Sequence, residues 1–259
     1  MRSAQQITHN SKRIKAYQAD LHIHTLLSPC GELEMIPPLI IEAAKAARLD
    51  IIGIADHNSC ENAGAVIEAA KSSGIRVMPG LEVQSVEGVH LLCLFDLVDQ
   101  AEAMQAVVYE SLVNMAGNYL FSEQQFVVDS EGEFIRHCNK HIALPTTMDI
   151  DEVYQRVSSI GGIMIPSHID RKSTGMIDVL AMIPDSPDFD ALEISINMTP
   201  DQARCAFPSV GDKPIIQNSD AHWLDAIGQR RTILHLEHRN VGEIRMACRG
   251  EHGRRVENA

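Results

Sequence analysis

Short apolar runs recur along this chain and nearly every one ends in a histidine or an acidic residue, a recurrence that restricts the fold more than any other feature. The run at 17–23 carries Asp20-Leu21-His22-Ile23-His24, and Asp56-His57 follows the run at 50–55. Glu82 follows 75–81, His168 follows the run closing at Pro166, and Asp220-Ala221-His222 follows 213–218. Continuously apolar runs of this length read as strands buried on both faces of a parallel sheet. Helical stretches lie between them. Residues 37–49 place Ile40, Ile41, Ala44 and Ala47 at helical spacing behind Pro37, and 61–72 close at Gly74. Residues 150–160 begin at an Asp149 cap with Glu152 three positions on. The expected fold is therefore α/β. A barrel is favoured over an open sheet because it brings all strand ends to one rim, whereas an open sheet would leave half of them far apart.

Two features interrupt the pattern. His90 stands near the start of the run at 88–95, which suggests either an antiparallel partner or a different entry direction. Between 99 and 149 the alternation lapses: 101–120 reads as a helix with a Met, Val and Leu face, and 121–141 is polar, with a hairpin expected around Ser130-Glu131-Gly132. This segment reads as an insertion over one rim, either a lid or a dimer contact. The run at 75–81 is expected to break at Pro79-Gly80. The domain reading is an extension over 1–15, one barrel over 16–248, and a charged, glycine-containing tail over 249–259 that should fray. A length of 259 residues suits one such domain.

Histidines at i and i+2 on a strand face the same way, so His22 and His24 can reach one ion. With His57, Glu82, His90, His168, Asp220 and His222 they make more donors than one ion accepts. Two or three divalent ions are expected, with Glu82 free to bridge, and the mixed imidazole and carboxylate set suits zinc, manganese or iron. Ions held about 3.5–4 Å apart generate a bridging hydroxide and stabilise both oxygens of a phosphoryl displacement. Arg171 could clamp a phosphate through its planar guanidinium, with Lys172 as the alternative. Asp56 sits beside His57, where a carboxylate orients an imidazole from behind. Glu193, inside an apolar run, faces either the rim or outward.

With 22 basic and 35 acidic residues, the chain carries a formal charge of -13. That argues against a broad nucleic-acid surface and for a small phosphorylated substrate or a short oligonucleotide. Six cysteines are scattered without a C-x-x-C pair, which suits a reducing cytoplasm. No run approaches the length of a membrane span, and 1–15 lacks the apolar core of a signal peptide, so no membrane association is expected.

Asp20-Leu21-His22-Ile23-His24, Ala55-Asp56-His57-Asn58, Gly80-Leu81-Glu82-Val83, His90, Ser167-His168 and Ser219-Asp220-Ala221-His222 resemble, in order, the motifs of the polymerase and histidinol phosphatase (PHP) family. The resemblance implies a distorted (β/α)7 TIM-like barrel with an inserted segment and a trinuclear centre that hydrolyses phosphoesters. It also implies a ligand distribution. His22, His24, Glu82 and Asp220 would hold one ion, Glu82, His90 and His168 a second, and His57 and His222 a third together with one more residue. In the family that residue is an Asp or His shortly after the first motif. Here the chain reads Ser28-Pro29-Cys30-Gly31-Glu32. Counted back from Pro37 the position falls on Glu32, which is expected to ligate, with Cys30 the second choice; counted forward from His24 it falls on Pro29. The expected function is a metal-dependent phosphoesterase. The alternatives are a metal-dependent amidohydrolase, which has no need of Arg171, and a noncatalytic metal-binding module whose insertion docks a partner.

Overall fold

The computed structural model of the chain describes residues 14–112 and 125–258. Most of the expected N-terminal extension and the distal part of the helix expected over 101–120 lie outside the described residues.

The first half follows the alternating pattern: β1 (Lys15–Ile23), α1 (Pro37–Ala46), β2 (Ile51–Ile54), α2 (Ala63–Ala69) and β3 (Arg76–Gln84). Then come β4 (His90–Leu94), α3 (Val98–Ser111), and the hairpin strands β5 (Phe126–Val128) and β6 (Phe134–His137). The second half runs α4 (Ile150–Ile160), β7 (Ile163–Pro166), α5 (Met176–Leu180), β8 (Leu192–Ile194) and α6 (Pro200–Ala206). It ends with β9 (Ile215–Gln217), β10 (Thr232–Leu236), α7 (Val241–Cys248) and β11 (Arg255–Asn258).

Seven strands form one curled sheet in the order β11-β10-β1-β2-β3-β4-β7. β1, β2 and β3 are parallel, while β4 runs antiparallel to both β3 and β7, the first of the two readings that His90 left open. β8 and β9 form a separate parallel pair. It is joined to the β7 side by Ile169 N–H donating to the Glu193 carbonyl at 2.8 Å, and to β1 by His24 N–H donating to the Ala221 carbonyl at 2.9 Å. The result is a distorted TIM-like barrel. Adjacent residues on a strand fall into opposite apolar clusters, as the period of two demands. Ile51, Leu92 and Ile165 pack with Val241, Ile244 and Ala247 of α7. Ile52, Cys93 and Met164 pack instead under α1 to α4.

Local signals explain several boundaries. Asp149 accepts from Glu152 N–H at 2.8 Å and Gly161 closes α4 at φ 88°. Gly53 is required by approach: a Cβ there would lie 2.1 Å from the Leu21 carbonyl oxygen. The expected break at Pro79-Gly80 does not occur. β3 runs through both, because the Pro79 carbonyl still accepts from Phe95 N–H at 2.9 Å and the missing Cβ of Gly80 lets the Cys93 carbonyl approach. The tail expected to fray is also corrected. Arg255–Asn258 pair with β10, Val256 packs against the cluster that includes Val241, Ile244 and Ala247 of α7, and Arg254 is held 3.0 Å from both Glu237 and Glu243. Among the described residues, no helix is long and apolar enough to cross a membrane.

Candidate metal centre

Every candidate ligand comes from the same rim. His24 follows the end of β1, His57 the end of β2, His168 the end of β7, and Asp220 and His222 the end of β9. Glu82 lies in the stretch of β3 beyond its pairing with β2. β4 starts with His90 and so returns to this rim because it runs against β3. The chain turns sharply at these ends: Asn58, His168 and Asp220 take left-handed backbone at φ 49°, 27° and 50°, strain of the kind that gathers at functional sites.

Glu82 is the hub, with 1% of its surface exposed. Its Oε1 lies 3.0 Å from His168 Nε2, 3.1 Å from His90 Nδ1 and 3.3 Å from His22 Nε2, and its Oε2 lies 2.9 Å from His57 Nδ1. Asp220 Oδ1 lies 3.2 Å from His24 Nε2 and 3.5 Å from His22 Nε2. Three groups have ligand atoms within 4.8 Å of one another: His22, His24 and Asp220; His57, Glu82 and His90; and His24, His57 and His222.

Hydrogen bonds behind the rings fix which nitrogen is free. His22 Nδ1–H donates to Glu193, both of whose oxygens lie at 3.1 Å, and Asn218 Nδ2 donates to Glu193 Oε2 at 3.3 Å. His24 Nδ1–H donates to Ser28 Oγ at 2.9 Å, and the Ser28 hydroxyl donates in turn to Asp56 Oδ1 at 2.7 Å. His222 Nδ1–H donates to the Asp220 carbonyl at 2.8 Å. The Nε2 lone pairs of His22 and His24 are thereby turned toward each other, 3.1 Å apart. At that distance either one ring carries a proton and donates to the other or a metal cation lies against both. Glu82 Oε2 and Asp220 Oδ1 are buried and, among the described residues, have no hydrogen-bond partner, an arrangement that is costly without compensation. The donor set therefore fits divalent ions, with back-side partners of the kind that raise imidazole basicity.

The electrostatics agree. Burial works against charge on Glu82, but His90 and His22 outweigh it and hold the carboxyl well below its ordinary range. Burial and the neighbouring His222 keep His24 well below the usual imidazole value. On His22 burial is outweighed by Glu193, Glu82 and Asp220, which raise its pKa well above the usual value. A proton on His22 is thus the cation an incoming metal would displace. Burial would raise the Cys30 thiol, but hydrogen bonding with His222 and His57 brings it down to about 6.

The structure brings together His22, His24, His57, Glu82, His90, His168, Asp220 and His222. It does not bring Glu32 into the cluster. That side chain is exposed, and its backbone N–H donates to the His222 carbonyl at 2.8 Å. The turns from Thr25 to Met35 place Cys30 there instead, with Sγ 3.2 Å from His57 Nε2. Arg171 lies at the rim, where its guanidinium bonds to Asp220 Oδ2. Among the described residues, the side-chain hydrogen bonds of Asp56 go to Thr25 and Ser28 and not to an imidazole ring. The carboxylate receives Thr25 N–H at 2.7 Å, Thr25 Oγ1–H at 2.8 Å and the Ser28 hydroxyl, and so orients His24 through Ser28. Sequence reasoning passed over Ser28 and Asn218, which match no spacing rule. It also passed over Asn58, whose side chain donates at 2.9 Å to the Ile142 and Leu144 carbonyls. That anchor sets Ile142 and Ala143 of the insertion in the wall of a cavity of ≈ 380 Å³ shared with Cys30, His57, His90 and Thr174.

A curled α/β barrel with imidazoles and carboxylates gathered at one rim is an arrangement suited to metal-dependent hydrolases. The chain belongs to the PHP domain family, whose model matches residues 20–159. A relative, the uncharacterized protein YqxK of Bacillus subtilis, is 24% identical over 258 residues, covering 94% of this chain and 64% of its own. The chain thus spans less than two thirds of that protein. The crystal structure of the lesion-specific endonuclease PfuEndoQ from Pyrococcus furiosus superposes with a TM-score of 0.68 at 20% identity, over 93% of this chain and 58% of that one. A metal-dependent phosphoesterase from Bifidobacterium adolescentis, solved as a putative one, gives 0.53 at 19% identity, over 80% and 88%.

The expectation of a small substrate or short oligonucleotide, with no broad nucleic-acid surface, is corrected here. Endonuclease Q, solved with a 27-mer duplex carrying an abasic lesion at its active site, has this fold at a TM-score of 0.67 and 19% identity, over 93% of this chain and 58% of that one. Net charge sums the whole surface, whereas a duplex meets only part of it, so -13 does not exclude DNA.

Proposed function

We propose that this chain is a metal-dependent hydrolase that cleaves phosphodiester bonds in DNA. The observation that carries the metal-dependent part of this reading is the close approach of His22 Nε2 and His24 Nε2, 3.1 Å apart, with Nδ1 of each ring held from behind by Glu193 and Ser28. Two or three divalent ions, zinc, manganese or iron, would supply charge neutralisation at the phosphate and acidify water enough for attack near neutral pH.

The chain's own residues then have distinct work. His22, His24 and Asp220 would hold one position, and Glu82, His90 and His168 another, with Glu82 central enough to serve both. Glu193 and Ser28 keep the ring nitrogens of His22 and His24 directed inward. Arg171 offers five N–H donors, and in this reading those not taken by Asp220 bind a phosphate oxygen. Ile142 and Ala143 wall the cavity beside His57 and His90. The duplex bound by Endonuclease Q supports DNA as the polymer. This chain spans 58% of that protein, so the proposal concerns phosphodiester cleavage and not the longer protein's full activity.

The test is hydrolysis of single-stranded DNA, intact duplex and duplex with an abasic site, by protein stripped of metal and reloaded with Mn²⁺, Zn²⁺ or Fe²⁺. Cleavage that needs metal and disappears in Glu82→Gln is expected. Stoichiometric ion binding without cleavage of any of the three would overturn it.

A further inference from the structure

An indole stands in the open at the rim, and none of the chemistry proposed above uses it. Trp223 is the chain's one tryptophan, and 47% of its surface is exposed, although such a side chain contributes a large apolar area to a core when it is buried. It directly follows His222, whose ring centroid lies 4.1 Å from that of His24. Its backbone is fixed, because the Trp223 carbonyl accepts from Ala226 N–H at 3.1 Å. The centre thus has an exposed aromatic side chain one residue from a donor.

From Trp223 an arc of cations runs along the ends of β9, β7 and β8. Arg171, 42% exposed at its side chain, bonds to Asp220, two residues before His222. The neighbouring Asp170 accepts from Ser195 N–H at 2.7 Å and from the Ser195 hydroxyl at 2.6 Å, which ties the loop after β7 to the loop after β8. Ile196 comes next and is 39% exposed, and its carbonyl accepts from Arg230 Nε at 3.3 Å and Nη2 at 3.1 Å. Arg230 and Trp223 lie in the same connection between β9 and β10, which closes the arc. Lys172 and Arg230 are exposed as well. Outside the donor set, the acids of these loops are Asp170, occupied by Ser195, and the exposed Asp225. The arc is therefore locally positive in a chain whose formal charge is -13.

We propose that this side of the rim is the track of a DNA strand, with Arg171 and Arg230 contacting phosphates and Trp223 stacking on an unpaired base. The proposal rests on the DNA reading above and adds which face of the rim meets the polymer and in what state. A planar guanidinium matches a phosphate face. An indole accepts any base, since every base has a π-face, and a cationic groove with an aromatic platform is how single strands are held without sequence preference. A base can stack on Trp223 only when it is unpaired, so the track favours single-stranded or locally opened DNA over intact duplex.

A lone tryptophan makes the test direct. Indole emission of the zinc-loaded chain should be quenched on mixing with a single-stranded oligonucleotide, which needs no variant to fold, and a covalently closed duplex should quench little. Trp223→Ala should bind the oligonucleotide roughly 5- to 150-fold more weakly, and Trp223→Phe should recover much of that loss. Arg171→Ala and Arg230→Ala should each flatten the dependence of log affinity on log salt by about 0.7, whereas Trp223→Ala should leave that slope as it is. Emission indifferent to an oligonucleotide that the chain binds, equal quenching by the closed duplex, full affinity in Trp223→Ala, or unchanged slopes in both arginine variants would each overturn the assignment. Metal-dependent DNA cleavage together with any of those results would refute the track alone, and a chain that neither binds nor cleaves DNA would refute both readings.

Discussion

Replacing Glu193 with glutamine tests the logic of the centre without touching a donor. Both carboxylate oxygens lie 3.1 Å from His22 Nδ1, and Glu193 is 1% exposed. The amide keeps one acceptor but loses the charge. A hydrogen bond to a charged group contributes about 1.5–3 kcal/mol, against about 1 kcal/mol for a neutral one. The difference, about 0.5–2 kcal/mol, is roughly 2- to 30-fold in affinity at 1.4 kcal/mol per decade. Partners behind metal-bound imidazoles typically contribute about 10- to 100-fold, so Glu193→Gln is expected to weaken ion binding by about tenfold. Glu193→Ala, which strips His22 Nδ1 of its acceptor altogether, is expected to cost about a hundredfold. Competition with a chelating dye measures both, and circular dichroism of the metal-free variants confirms that the barrel is retained. Ion affinity unchanged in both variants, with the fold intact, would refute the claim that Glu193 directs the His22 lone pair inward.

Ser28→Ala removes the oxygen that accepts His24 Nδ1–H and leaves that donor buried and unpaired, so a loss of about 1–3 kcal/mol is expected in denaturant unfolding of the metal-free chain; a variant as stable as the original would exclude this role. Ion affinity should rise with pH: the pKa of His22 is raised, the proton must leave as metal binds, and protons therefore compete best at low pH. Chelator competition at pH 6 and pH 8 would show this, and equal affinities would contradict it. Gly53→Ala would set a Cβ 2.1 Å from the Leu21 carbonyl oxygen, where both partners are backbone and neither can rotate away. It is expected to lose about 3 kcal/mol or more, read as a large drop in thermal midpoint or a failure to fold.

The parts of the molecule legible in the sequence are those specified by neighbours along the chain. α4 begins and ends as its own residues dictate, with Asp149 and Glu152 capping each other and Gly161 supplying the left-handed turn. The His-x-His pair needs only the alternation of one strand, and the apolar runs of β2 and β7 announce a buried sheet through composition alone. The antiparallel option for β4 was raised by a single misplaced histidine, because an antiparallel strand must present its first residue where parallel strands present their last.

Contacts between distant segments decided the rest. Cys30 rather than Glu32 lies beside His57 in a loop that the far end of the chain pins, Glu32 N–H donating to the His222 carbonyl at 2.8 Å, a contact that no count from Pro37 contains. Arg171 reaches a carboxylate 49 residues away, and Glu193 reaches a ring 171 residues away. The charged tail becomes β11 because β10 offers an open edge. Net charge likewise describes the whole surface and cannot say what one rim binds. Sequence by itself determined the elements and the donor types, since backbone propensity and side-chain chemistry are local. Tertiary structure decided which donors face one another and which nitrogen of each ring is free, since hydrogen bonds across the barrel set both.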